Sequence, residues 1–185
     1  MTQTRTALIL TGGGARAGYQ AGVLKAIREL LPAPRENPFP ILCGTSAGAI
    51  NAASLAVFAE DFDGGVDNLL RVWENFTADQ VYRADPAGIG IAGARWLSAL
   101  AIGWLTRRAP RSLLDNAPLR HLLHEGLDFS RIACAIENGA LHSISITCSG
   151  YSSGQSVSFF QSRPGQEGWR RSQRVGAAAE SRSTT

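Results

Sequence analysis

The chain has 185 residues, 44% of them hydrophobic and 18% charged, which suits one ordinary domain with a real core and excludes a disordered chain. A net charge of +3 without a lysine-arginine stripe argues against nucleic acid as a partner. Cys43, Cys134 and Cys148 lack metal-ligand spacing and have apolar neighbours, so they are expected to be buried free thiols in a reducing compartment.

No secretory signal pattern opens the chain, and a cytoplasmic location is the expectation. Residues 6–11, Thr-Ala-Leu-Ile-Leu-Thr, form a continuous apolar run that predicts a buried parallel strand. Gly12-Gly13-Gly14 follows, and residues 19–31 show helical periodicity through Val23, Leu24, Ile27, Leu30 and Leu31 until Pro32 and Pro34 stop it. A second strand is predicted over 39–43, and a small-residue helix over 49–59. The order is strand, glycine loop, helix, strand, serine turn, helix, which begins an α/β sheet.

The serine turn reads Gly44-Thr45-Ser46-Ala47-Gly48. Gly-x-Ser-x-Gly between a strand and a helix is a nucleophile elbow, in which a strained backbone holds the serine hydroxyl at the start of the helix. Gly44 and Gly48 are expected because side chains there would collide with the neighbouring strand or helix. The helix N-terminus favours negative charge developing near Ser46. For Gly12, Gly13 and Gly14 three readings compete. A dinucleotide fingerprint needs a carboxylate at the end of the second strand, and a P-loop needs Gly-Lys-Ser/Thr; neither is present. An oxyanion hole needs backbone N–H groups that approach a substrate without side chains between, which a glycine run supplies.

These two motifs, extended by Tyr19-Gln20-Ala21-Gly22-Val23-Leu24 and Ala49-Ile50-Asn51-Ala52, resemble the patatin-like phospholipase family. The resemblance implies a three-layer α/β/α fold with a mainly parallel central sheet. It implies hydrolysis of lipid acyl esters, as a phospholipase A or lipid esterase, through an acyl-enzyme on Ser46 with Gly12 to Gly14 as oxyanion loop. Arg16 in that loop either supports the oxyanion hole, meets a phosphate headgroup, or is simply solvated. The substrate would be a lipid or another acyl ester. No cofactor and no metal is expected.

Later in the chain, residues 66–76 predict an amphipathic helix. Residues 92–106, with Trp96 and Trp104 and a basic end, are too short and interrupted for a membrane span. They suit either a helix resting on a lipid surface, as a peripheral membrane contact, or one packed over the sheet. A short helix is expected over 118–123 and a strand hairpin over 140–147 and 156–161. After residue 161 the apolar pattern fades. The expectation is a hydrolase domain over 1–161, incomplete at its C-terminal side, and an irregular tail over 162–185.

The resemblance also implies a Ser-Asp dyad, its aspartate in a late Asp-Gly-Gly or Asp-Gly-Ala turn. Asp63-Gly64-Gly65 matches in letters, but it follows the elbow helix, about 15 Å or more from the hydroxyl, and Asp63 reads as a helix cap or turn residue. No later match exists, and no aspartate follows Asp128. A Ser-His-Asp triad drawing on His121, His124 or His142 with Asp115 or Asp128 is the rival catalytic arrangement. Without a base, weak or absent esterase activity is expected, and a catalytically inactive lipid-binding fragment is the alternative function.

Overall fold

In the computed structural model, which describes residues 5–32, 37–75, 77, 117–150 and 153–179, the first apolar run is strand β1, Ala7–Leu10. It is followed by a 3-10 turn, Gly14–Arg16, helix α1, Ala17–Leu30, strand β2, Ile41–Thr45, and helix α2, Ala47–Val57. Then come α3, Phe62–Glu74, α4, Ala117–Gly126, α5, Ser130–Asn138, and strands β3, Ser143–Ser149, β4, Ser156–Ser162, β5, Trp169–Arg171, and β6, Arg174–Ala178. The chain divides into two units: Met1–Glu74 with Asp128–Thr185, and Asn75–Leu127.

The strands of the larger unit form one 6-stranded sheet in the order β1-β2-β3-β4-β6-β5. The pairs β1–β2, β2–β3 and β4–β6 are parallel, while β3–β4 and β5–β6 are antiparallel. This mixed sheet with helices packed around it is the α/β class expected from the sequence. The hairpin of β3 and β4 stands where alternation predicted it.

Helix α2 touches β1, β2, β3, α1, α3 and α5. Its sequence explains how: Gly48, Ala52 and Ala56 are small, so the backbone can lie close to the sheet, and Leu55 and Val57 fill the remaining space. A helix buried on nearly every side needs this composition. Around it, α1 buries Ala17, Ala21 and Leu24, while α3 buries Phe62, Gly65, Val66 and Leu69, both at helical spacing.

Three expectations are corrected. Residues 169–178 are not irregular: β5 and β6 form a hairpin whose second strand pairs with β4 from Ser156↔Arg174 to Phe160↔Ala178. The Trp169 indole lies over Gly176, where any Cβ would overlap the ring, so one tryptophan supplies the apolar cover that alternation normally signals. Cys134 and Cys148 are exposed, not buried; Cys134 is on the outer side of α5, whose inner side is Ile132, Ala135 and Ile136. Asp63 does not cap α3. Asp61 does, accepting the Gly64 N–H at 2.9 Å, and Asp63 is in the first turn. The helix expected over 92–106 lies outside the described residues. In the smaller unit α4 occupies and extends the short helix expected near 118–123, and His121 Nε2 reaches Glu125 at 3.3 Å on the same helix.

Candidate active site at the serine turn

Because β1 and β2 are adjacent and parallel, the loops at their carboxyl ends leave the sheet side by side. Gly12 follows the end of β1, and Ser46 follows the end of β2. A Cβ on Gly12 would stand 3.0 Å from Ser46 Cβ and 3.7 Å from its Oγ. The glycine run and the serine turn, read separately in the sequence, are therefore one locality.

Ser46 has φ 54 and ψ −129, a conformation that costs a non-glycine residue about 1–3 kcal/mol. Two close approaches hold it. A Cβ on Gly44 would be 2.5 Å from the Ala49 Cα and 2.8 Å from the Ala52 Cβ. One on Gly48 would overlap the Leu10 carbonyl. Gly44 thus lets β2 pass under α2, and Gly48 lets α2 sit against the end of β1. Ser46 stands at the N-cap of α2 and is exposed, yet its side chain makes no capping hydrogen bond. A serine in that place ordinarily spends its oxygen on an N–H of the first turn; here the hydroxyl is left for solvent or a ligand. The helix N-terminus adds a partial charge of about +0.5 beside it.

Gly13 has an extended φ of 173, and its carbonyl accepts the Arg16 N–H at 3.2 Å. Gly14 has φ 55, which suits glycine. Among the described residues the N–H groups of Gly12 and Gly13 find no backbone acceptor. The Arg16 side chain is exposed and makes no hydrogen bond or ion pair with any described residue.

The connection between loop and elbow is made by amides that sequence reasoning passed over. Asn51, fully buried on α2, donates from Nδ2 to the Ala17 carbonyl at 3.1 Å and to Gln20 Oε1 at 3.0 Å. Its Oδ1 accepts from Trp73 Nε1 at 2.8 Å. Gln20 in turn donates to the carbonyl of Thr11, the residue before Gly12, at 2.8 Å. The signal was available: an asparagine among alanines on an apolar helix must be hydrogen-bonded if buried.

Asp63, His142 and Asp128, the candidates within the larger unit, are not brought to Ser46. Asp63 lies beyond the far end of α2, whose 11 residues span about 16 Å. The letters Asp-Gly-Gly have a different use there: Gly64 makes room for the capping Asp61 carboxylate, and Gly65 lies against Phe58. His142 precedes β3, with its N–H on the Pro40 carbonyl at 2.7 Å, roughly 20 Å along the strands from Ser46. Asp128, two residues before α5, is engaged there: it accepts from the Ser130 hydroxyl at 2.6 Å and the Ser130 N–H at 3.1 Å. The Ser130 hydroxyl, then its N–H, holds the Asp128 carboxyl below its usual range. His121 and His124 belong to the other unit, and Asp115 lies outside the described residues. No group of three metal-ligating side chains occurs among the described residues, and none of their helices is long and apolar enough to cross a membrane.

Two relatives carry the same kind of name. One, a cUMP-AMP-activated phospholipase of Escherichia coli, is 48% identical over 50 residues, 27% of this chain and 16% of that protein. The other, a cGAMP-activated phospholipase of Pseudomonas aeruginosa, is 32% identical over 119 residues, 64% of this chain and 29% of that protein. The chain thus spans less than a third of the length of these relatives. Activation by a cyclic dinucleotide, which their names state, was not read from the sequence. No solved structure matches. The patatin-like phospholipase family model matches residues 8–174, nearly the whole described length, and the chain belongs to the patatin-like phospholipase family.

Proposed function

We propose that the chain carries the nucleophile and oxyanion half of a serine acyl hydrolase acting on lipid acyl esters. The observation that carries this reading is Ser46 at φ 54 and ψ −129 with Gly12 against it. In the proposed reaction Ser46 Oγ attacks the ester carbonyl and gives up its proton to a base. The carbonyl oxygen turns negative beside the N–H groups of Gly12 to Gly14 and the N-terminus of α2. The alcohol then leaves, and water releases the acid from the acyl-enzyme. Arg16, solvent-facing in the glycine loop, suits a phosphate headgroup on the substrate.

The base is the member not found among the described residues. Among the described residues no aspartate or histidine of the larger unit stands beside Ser46, so this chain alone is expected to react slowly, with the residual rate an oxyanion hole can give. The test is labelling by a fluorophosphonate together with turnover of a short p-nitrophenyl ester. Slow, stoichiometric labelling lost in Ser46→Ala is the expected result, with turnover near background. Fast turnover that depends on Ser46 would overturn the half-site reading, since a base would then have to lie within this chain.

The same gap among the described residues favours a second reading, a non-catalytic lipid-binding part, in which residues 92–106 give a peripheral membrane contact. Co-sedimentation with phospholipid vesicles by a chain that never labels supports it. From the relatives' names we further propose that the whole protein is regulated by a cyclic dinucleotide. Stimulation of ester hydrolysis by cyclic GMP-AMP tests that.

A further inference from the structure

At the end of the sheet opposite the serine turn is a polar cleft of about 600 Å³. Arg5 precedes β1 and His142 precedes β3. Arg163 follows β4, which runs antiparallel to β3 and so returns to the same edge. All three line the cleft, with Asn37, Glu60 and Asn138 around them.

The charges there are unbalanced. Arg5 Nη1 approaches His142 Nε2 at 3.5 Å, a contact in which the guanidinium donates and a neutral imidazole accepts. Arg163 crosses Gly139, the residue that ends α5 at φ 87; a Cβ there would be 2.7 Å from Arg163 Nη2. Neither arginine has a carboxylate partner among the described residues. Glu60 is held by the Asn138 amide at 2.7 Å, and Asn37 donates to the Ala140 carbonyl at 3.2 Å. Glu60 and Asn37 are thus engaged, while among the described residues neither arginine has its charge matched by a carboxylate.

Two guanidinium groups turned into one cleft repel each other and gain when an anion enters, and the imidazole beside them can hydrogen-bond the same anion. Guanidinium forks match phosphate oxygens. The volume falls in the usual small-ligand range of roughly 300–1,000 Å³, and the polar wall suits a hydrogen-bonding body better than an acyl chain.

We propose that Arg5, His142 and Arg163 form a phosphate-binding site for a nucleotide at the foot of the sheet. A ligand there is about 20 Å from Ser46 and touches no substrate. The binding claim stands on the cleft itself; its regulatory meaning rests on the nucleotide activation proposed above.

The test is calorimetric titration of the Ser46→Ala chain, with cyclic GMP-AMP, inorganic phosphate and glycerophosphoglycerol as separate probes. The expected result is saturable binding of the dinucleotide, at least about tenfold tighter than either small anion. Arg5→Gln and Arg163→Gln should each weaken it about tenfold, and the pair about a hundredfold. Addition of the dinucleotide should also shift the His142 imidazole resonance in a chain with both arginines intact, a readout independent of how the variants fold. Unchanged binding in the double variant, equal binding of the headgroup or of phosphate, or an unmoved His142 resonance would overturn the site. Because Ser46 is absent from the titration, a failed hydrolase reading leaves this result untouched. Serine-dependent labelling with no binding would remove the site alone.

Discussion

Gly48 shows how little freedom the serine turn has. A methyl group at this position would lie 2.6 Å from the Leu10 carbonyl carbon and from the Thr11 oxygen, both backbone atoms that cannot step aside like a side-chain end. Gly48→Ala must therefore push α2 away from β1, at a cost of about 1–3 kcal/mol. Urea denaturation is expected to show the lower midpoint, and fluorophosphonate labelling of Ser46 should fall with it. At the other end of the sheet, His142 is pushed below its ordinary value of 6.5 by burial first, then by the charges of Arg5 and Arg163. The unfolded chain then takes up a proton that the folded chain resists. The stability contribution is present above about pH 6.5 and declines as pH falls through that value toward the lowered one. Glu60, also on this cleft, opposes the arginines. Thermal midpoints taken from about pH 7.5 to 5.5 should fall with pH, and His142→Gln should flatten the slope. The residue-scale features around Ser46 were legible because steric need selects few residue types. Glycine beside a serine turn is one of them. The environment of His142 was not, since its two arginines stand 137 and, by numbering, 21 positions away.

Among the elements, α1, α2 and α3 are tied through one side chain. Asn51 on α2 holds the Ala17 carbonyl, Gln20 and Trp73, so it fixes the start of α1 and the end of α3 relative to the serine helix. Asn51→Leu keeps the volume and removes both donors and the acceptor. Each buried group left without its partner costs about 1–3 kcal/mol, and the loss should exceed that of Gln20→Leu, whose amide is less buried. Chemical denaturation of the two variants compares them. A different dependence holds the end of the sheet. Trp169 covers Gly176, and Arg171 lies 5.7 Å from the indole centroid. Trp169→Ala is expected to release β5 while leaving β1 to β3 intact, seen as faster amide exchange confined to residues 169–178. Helices α1 and α3 and the β3–β4 hairpin could be read from periodicity because their apolar residues repeat on one face. Strands β5 and β6 could not: β5 has three residues, and β6 is built from Gly176, Ala177 and Ala178 with Val175 as its only large apolar residue. A glycine that receives a tryptophan from the next strand leaves no alternating signal.

Across the whole molecule, parallel pairing of β1, β2 and β3 separates two ends with different chemistry. Carboxyl ends bear Gly12 and Ser46. Amino ends bear Arg5 and His142. The class of fold was legible from the alternation of strand and helix signals. The partition of the sheet was not, because it depends on β4 turning back beside β3 and bringing Arg163 to the amino-end side. The family membership rests on a match over residues 8–174, which runs into β6 and so includes strands that the fading apolar pattern had set apart as tail.

The serine turn and the glycine loop lie within residues 11–51, and the Asn51 clamp adds only Trp73 from outside that span. Contacts so close in sequence have a small loop-closure cost and can form early. The shape around Ser46 is thus a local product of the chain, whereas the base proposed to activate it is not found beside it among the described residues. Shape and reactivity are therefore separable here: an elbow can persist through changes that silence it, and its presence alone measures ancestry rather than turnover.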